Sequence, residues 1–191
     1  MIGLGRATKE GVGLDCLLIR HGIAVEPEGW EGSDENRPLT EKGKKRVRQA
    51  AVGLMALNCK PTHLFSSPFV RAYDTARLLR ALVCPTLKVE TRDELAVGSS
   101  PDKIVAMLRS LPTESMVMCV GHEPLLGEVA GLLLCGKAIP SLSLKKAGAA
   151  LIRLSGDAKP GRGLLRWWLQ PMQLRALGKG KPTGTEADGS S

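Results

Sequence analysis

Leu14-Asp15-Cys16-Leu17-Leu18-Ile19-Arg20-His21-Gly22 carries the deciding pattern: an apolar run that closes on an arginine, a histidine and a glycine. The run predicts a buried strand over 14–19. Two later segments repeat the arrangement. Thr62 to Ser66 reads as a short strand entering Ser67-Pro68, and Met116 to Val120 as a strand entering Gly121-His122. Helical patterns separate them. Thr40 caps a helix, Glu41 complements its dipole, and Val47, Ala51, Leu54 and Met55 carry its stripe to about Asn58. Ser67 as N-cap with Pro68 at the first helical position starts a second helix that runs to about Val83. Leu87 to Glu90 reads as a strand. Ser100-Pro101 opens a third helix, striped by Ile104, Val105, Leu108 and Leu111, and Pro124 to Leu134 forms a fourth. Ala149 to Leu154 and Leu164 to Trp168 read as two later strands, antiparallel neighbours across a Gly/Asp/Pro-rich turn. Alternating strands and helices predict an α/β fold: a three-layer sandwich with a mostly parallel central sheet and helices on both faces.

The chain has 191 residues, enough for one domain of roughly 150 residues with additional tail. Residues 14–177 are expected to form that domain, with residues 1–13 an N-terminal extension. Residues 178–191, built of Gly, Lys, Thr and Ser, are expected to be a disordered tail. A hydrophobic share of 43% excludes a wholly disordered chain. No apolar run reaches 18 residues, so no membrane partner is expected. The first fifteen residues hold no apolar stretch of signal-peptide kind. The five cysteines, an odd number without C-x-x-C spacing, speak against a disulfide framework or a cysteine zinc site. Cys16, Cys119 and Cys135 sit in apolar runs and are expected to be buried thiols. A cytoplasmic location fits them best.

The net charge of +8 allows an anionic partner. Lys42, Lys44, Lys45, Arg46 and Arg48 form a dense patch, which reads first as a solvated helix face. Aromatic residues make up only 3%, which counts against base stacking and hence against nucleic acid.

In sheets of this class ligands bind at the carboxyl ends of strands. Two of the three histidines, His21 and His122, fall there beside glycines, and Arg20 falls there too. Arg71 lies in the first turn of the second helix, where side chains lean back toward the free backbone N–H groups. Taken alone it also reads as a surface arginine. Two guanidiniums, two imidazoles and a helix start suit a tetrahedral dianion, a phosphoryl group. A neutral imidazole can act as nucleophile. No cluster of Asp, Glu and His has metal-ligand spacing, so neither metal nor other cofactor is expected.

Arg20-His21-Gly22 resembles the signature of the histidine phosphatase superfamily. Ser66-Ser67-Pro68-Phe69-Val70-Arg71-Ala72-Tyr73-Asp74-Thr75-Ala76 resembles its second motif and Gly121-His122 its third, in the same order. Arg37-Pro38-Leu39-Thr40 and Trp168-Leu169-Gln170-Pro171 are similar to the small bacterial SixA-type phosphohistidine phosphatases of that superfamily. The resemblance covers about Leu14 to Leu177 and implies a phosphoglycerate mutase-like fold and no metal. It implies that His21 becomes phosphorylated and that Arg20, Arg71 and His122 hold the phosphoryl oxygens. Glu94 falls where many members place a general acid, although a loop-capping or surface glutamate is the competing reading. Ile23-Ala24-Val25-Glu26 departs from mutase-like members, which place a polar Asn in this region.

These features point to a metal-independent phosphatase for a phosphohistidine-containing protein, such as a phosphotransfer domain. The alternative is a phosphatase or mutase for small phosphate esters. A non-enzymatic module binding phosphate ligands or nucleic acid would rest on the basic patch alone. The short spacing from Glu90 to Pro101 leaves little chain for a lid, which favours an open site.

Overall fold

The computed structural model describes residues 13–156 and 158–179. Six strands form one sheet: β1 (Gly13–Arg20), β2 (His63–Ser66), β3 (Glu90–Thr91), β4 (Met116–Gly121), β5 (Ala149–Ser155) and β6 (Gly163–Leu169). Five α-helices accompany them: α1 (Glu41–Ala56), α2 (Val70–Val83), α3 (Pro101–Arg109), α4 (Leu125–Cys135) and α5 (Pro171–Leu177). The strand order is β3-β2-β4-β1-β5-β6. β3, β2, β4 and β1 pair parallel, whereas β5 is antiparallel to both β1 and β6. The chain thus has the expected three-layer α/β sandwich of phosphoglycerate mutase-like proteins.

Alternation along the central strands divides the core. Leu17 and Ile19 of β1, with Met118 and Val120 of β4, pack beneath α1, α2 and α5. Cys16 and Leu18, with Val117 and Cys119, pack on the other face beneath α3 and α4. The sheet is therefore buried on both sides, as its near-continuous apolar strands require.

Several boundaries differ from the sequence reading. α2 starts at Val70 with Phe69 as its N-cap, two residues later than the Ser67-Pro68 signal implies. Ser67 Oγ does accept the Phe69 N–H at 3.2 Å, besides its contact with His122, but the regular helix begins only at Val70. β3 is displaced to Glu90–Thr91, where it pairs with Phe65 and Ser66. α5 has no counterpart among the elements that the sequence predicts. It begins with Pro171 and a capping box in which Gln170 and Gln173 satisfy each other's backbone N–H groups. It packs closely on α1, and a Cβ on Gly53 would stand 2.1 Å from the Leu174 carbonyl oxygen. Cys16 and Cys119 are buried as expected, but Cys135 is exposed, because it ends α4 just before Gly136 turns the chain with φ 74°. The expected extension lies outside the described residues except for Gly13, which belongs to β1. The expected tail lies outside them beyond Lys179.

Among the described residues no helix is long and apolar enough to cross a membrane.

Candidate active site

Register brings the motifs together. Arg20 sits opposite Gly121 in the β1–β4 pair, and Ser66 sits opposite Val120 in the β2–β4 pair. The His21 N–H donates to the Gly121 carbonyl at 3.0 Å, and the Ser67 N–H donates to the Val120 carbonyl at 2.9 Å. Three strand ends are thereby fixed side by side, and the residues that follow them share one mouth.

His21 is 6% exposed. Its Nδ1 lies 2.7 Å from the Gly22 carbonyl oxygen. A carbonyl oxygen only accepts, so Nδ1 carries the proton and Nε2 keeps its lone pair. The Gly22 N–H donates to Thr75 Oγ1 at 2.9 Å, and that hydroxyl donates to the Arg71 carbonyl at 2.7 Å. This chain of bonds ties the strand-end turn to α2. Gly22 has no room for a side chain: a Cβ would meet Val47 at 2.7 Å.

The His122 and His21 ring centroids lie 5.0 Å apart. His122 Nε2 is 2.8 Å from Ser67 Oγ, which also accepts the Phe69 N–H. Arg20 Nη1 donates to the Leu144 carbonyl at 2.8 Å. Arg71 is 4% exposed, which corrects the surface-arginine reading. It donates through Nη1 to the Asp34 carbonyl at 2.6 Å and through Nη2 to Asp34 Oδ2 at 2.9 Å. Arg20 Nε, Arg71 Nε and His122 Nδ1 are buried and have no protein partner. Unpaired buried nitrogens are costly, and two guanidiniums cannot give up their charge to escape the cost. Their arrangement beside the unprotonated His21 Nε2 is suited to an anion.

Glu94 sits in a turn anchored at the same strand ends: the Arg92 N–H donates to the Ser66 carbonyl at 2.8 Å, and a Cβ on Gly121 would stand 3.5 Å from the Leu95 carbonyl oxygen. Glu94 lines a hollow of about 620 Å³ with Arg92, Lys103 and Met107, and none of Arg20, His21, Arg71 or His122 lines it. Residues missed by the sequence reading are Asp34, Ser67, Thr75 and Glu123. Ser67 and Thr75 belong to the second motif, so the motif itself was their signal. Asp34 lies in the loop before α1 and had no signal of its own. There, burial raises its carboxyl, but hydrogen bonds from Arg37 and Arg71 outweigh burial and hold it below the usual carboxylate range.

Glu123 accepts from the Leu144 N–H at 2.7 Å and from the Gly127 N–H at 3.1 Å. Burial raises its carboxyl despite those bonds and the nearby Arg20. It braces the segment whose Leu144 carbonyl receives Arg20. Glu123→Ala would strand partly buried donors at about 1–3 kcal/mol apiece. Denaturant unfolding is expected to show a loss of about 2–6 kcal/mol for the two donors together. A loss below about 0.5 kcal/mol would mean that water replaces the carboxylate without cost.

Burial, reinforced by the surrounding cations, pushes both His21 and His122 down to about 3. The unfolded chain takes up these protons near pH 6.5, whereas the folded chain resists until about 3. In that window the unfolded state binds more protons, so stability falls as pH is lowered from 6.5 towards 3. A His21→Asn/His122→Asn double variant is expected to lose less stability than the parent between pH 7 and pH 5. Equal losses in urea unfolding at the two pH values would show that the imidazoles charge freely in the fold.

This arrangement defines a class. The histidine phosphatase superfamily (branch 1) model matches residues 16–122, and the chain belongs to that superfamily and is a phosphatase. It is 34% identical over 149 residues to an uncharacterized protein of Picosynechococcus sp. strain PCC 7002, covering 76% of this chain and 88% of the relative. It is 25% identical over 164 residues to the phosphohistidine phosphatase SixA of Escherichia coli K12, covering 85% and 97%. The solved structure of a protein histidine phosphatase SixA complexed with tungstate matches with TM-score 0.74 and 24% identity, over 84% of this chain and 99% of that one.

Proposed function

We propose that this chain is a metal-independent phosphohistidine phosphatase, acting in the cytoplasm on a phosphohistidine borne by a phosphotransfer protein. Residues 14–177 form the catalytic domain. The observation that carries the reading is the His21 Nδ1–Gly22 contact, which leaves Nε2 unprotonated between two arginines and a second imidazole. Similarity to SixA along nearly all of that protein's length supports the substrate class. The free cysteines among the described residues suit a reducing compartment.

His21 Nε2 attacks phosphorus, and the P–N bond to the substrate imidazole breaks. The electron pair stays on that leaving nitrogen, which takes a proton. Water then attacks phosphorus, the P–Nε2 bond breaks, and orthophosphate leaves. Arg20 and Arg71 neutralise the oxygens throughout, which is the main demand of phosphoryl transfer. An incoming dianion favours protonated His122, so substrate itself draws the imidazole toward its charged form. Imidazole is a better leaving group than alkoxide, so Glu94 is not required as an acid.

The test is turnover of phosphohistidine proteins beside sugar and glycerate phosphates, with EDTA present throughout. Phosphohistidine substrates are expected to lead, with full activity in chelator. A preference for small esters would replace the substrate assignment. A loss in EDTA restored by Mg²⁺ or Zn²⁺ would overturn the metal-free site.

A further inference from the structure

The outer surface of α1 and α2 carries a groove that the chemistry at His21 does not use. Lys44, Arg48, Asp74, Arg77 and Arg80 line a hollow of about 500 Å³ between the two helices. A second hollow of about 350 Å³ shares Arg77 and Arg80 and extends to Lys88. The two hollows flank the shared Arg77 and Arg80, and together this trough presents five cations and one carboxylate. Local pairing leaves much of that charge available. Asp74 reaches only Arg77, at 3.7 Å, and Glu41 takes Lys44 at 2.7 Å. Arg48, Arg77 and Lys88 are exposed.

Both walls start at the active site. Asp74 and Leu78 follow Arg71 on one stripe of α2, at the i+3 and i+7 positions. On α1, Lys44 follows Gly43, which packs so closely on the turn after His21 that a Cβ would stand 2.0 Å from the Ile23 carbonyl oxygen. A body whose phosphorylated side chain enters the mouth at Arg71 would lie with its flank along this trough.

We propose that the α1–α2 trough docks an acidic face of the phosphohistidine-bearing protein and steers it onto His21. The inference rests on the phosphoprotein reading above and adds the surface that selects the partner. The patch at Lys42 to Arg48 then has a role on its trough-facing side, through Lys44 and Arg48. Complementary charge of this kind raises encounter rates steeply at low salt and sets partner choice more than it stabilises the complex.

The test uses an Arg48→Glu/Arg77→Glu/Lys88→Glu variant of the full chain, with Arg109→Glu on α3, across the sheet, as the control. Substrates are phosphotransfer domains of graded net charge, phosphorylated with phosphoramidate, together with phosphoramidate itself. For the parent, kcat/KM is expected to rise with domain acidity and to fall as salt is raised. The triple reversal should lower kcat/KM on acidic domains by about tenfold or more and flatten the salt dependence. Its kcat at saturation, its turnover of phosphoramidate and the behaviour of the Arg109→Glu control should stay normal. Equal kcat/KM for the triple variant and the parent on every domain would remove the docking role while leaving the phosphatase intact. No turnover of any domain by the parent, with phosphoramidate hydrolysed, would instead sink the substrate reading. Binding of a duplex oligonucleotide that the reversal abolishes, with domain turnover unchanged, would reassign the trough to nucleic acid.

Discussion

His21→Ala should abolish turnover, by about 10⁶-fold, the scale on which an enzyme that loses its nucleophile fails. Brief incubation of the parent with substrate and an alkaline quench should trap acid-labile phosphate on His21. The competing nucleophile is concrete. Ser67 Oγ lies 2.8 Å from His122 Nε2, a spacing at which a histidine could activate a hydroxyl. Ser67 is fully buried at the root of α2, and its Oγ already accepts the Phe69 N–H. His21 Nε2 needs no activation, because its neighbour Gly22 fixes the tautomer and burial keeps the ring neutral. Stable ester phosphate on Ser66 or Ser67, with none on His21, would exchange these roles. Retained binding of phosphate by His21→Ala would show that the anion cage survives the loss of its nucleophile.

How far the sequence discloses this site depends on whether a signal is local. The strand ends are local: an apolar run followed by a charged or glycine residue marks Arg20, His21 and His122 directly. Their meeting is not local, yet it follows from a parallel sheet, because β2, β4 and β1 end at the same level when registered. The start of α2 is read two residues early because Ser67-Pro68 carries a strong capping signal; Ser67 does accept the Phe69 N–H, yet the regular helix begins only at Val70, and the contact of Ser67 with His122 lies 55 positions away. α5 escapes notice because its apolar stripe is only a turn or two long, and its capping box uses Gln where Ser or Thr is the usual mark. Asp34 is one of several acids in a polar loop. What distinguishes it is its pairing with Arg71, a contact between residues 37 apart. Glu94 has no local signal beyond its family position, and the structure sets it at a hollow shared with Arg92 and Lys103.

Arg71→Lys separates geometry from charge at the anion cage. Arg71 presents a planar fork held from one side by the Asp34 carbonyl and carboxylate and stacked 4.9 Å from the Phe69 ring centroid. That bracing leaves Nε unpartnered and buried. Lysine keeps the positive charge but has neither the fork nor the plane. Losing one preorganised donor from such a site costs about 2.7–4 kcal/mol, or about 10²–10³ in rate. Arg77→Lys on the same helix is the control, because that side chain is 65% exposed and its one ion pair is loose. Arg80 would serve less well, since it is half-buried and donates to the Leu87 carbonyl at 3.3 Å. Surface changes stay within about 0.5 kcal/mol, so Arg77→Lys should turn over phosphoramidate at the parent rate. Asp34→Asn probes the brace itself: it keeps the backbone carbonyl contact to Arg71 but removes the charge, and its rate should fall between the other two. Near-parent rates for Arg71→Lys, beside an unchanged unfolding midpoint, would take Arg71 out of the phosphoryl cage and leave Arg20 and His122 to hold the anion.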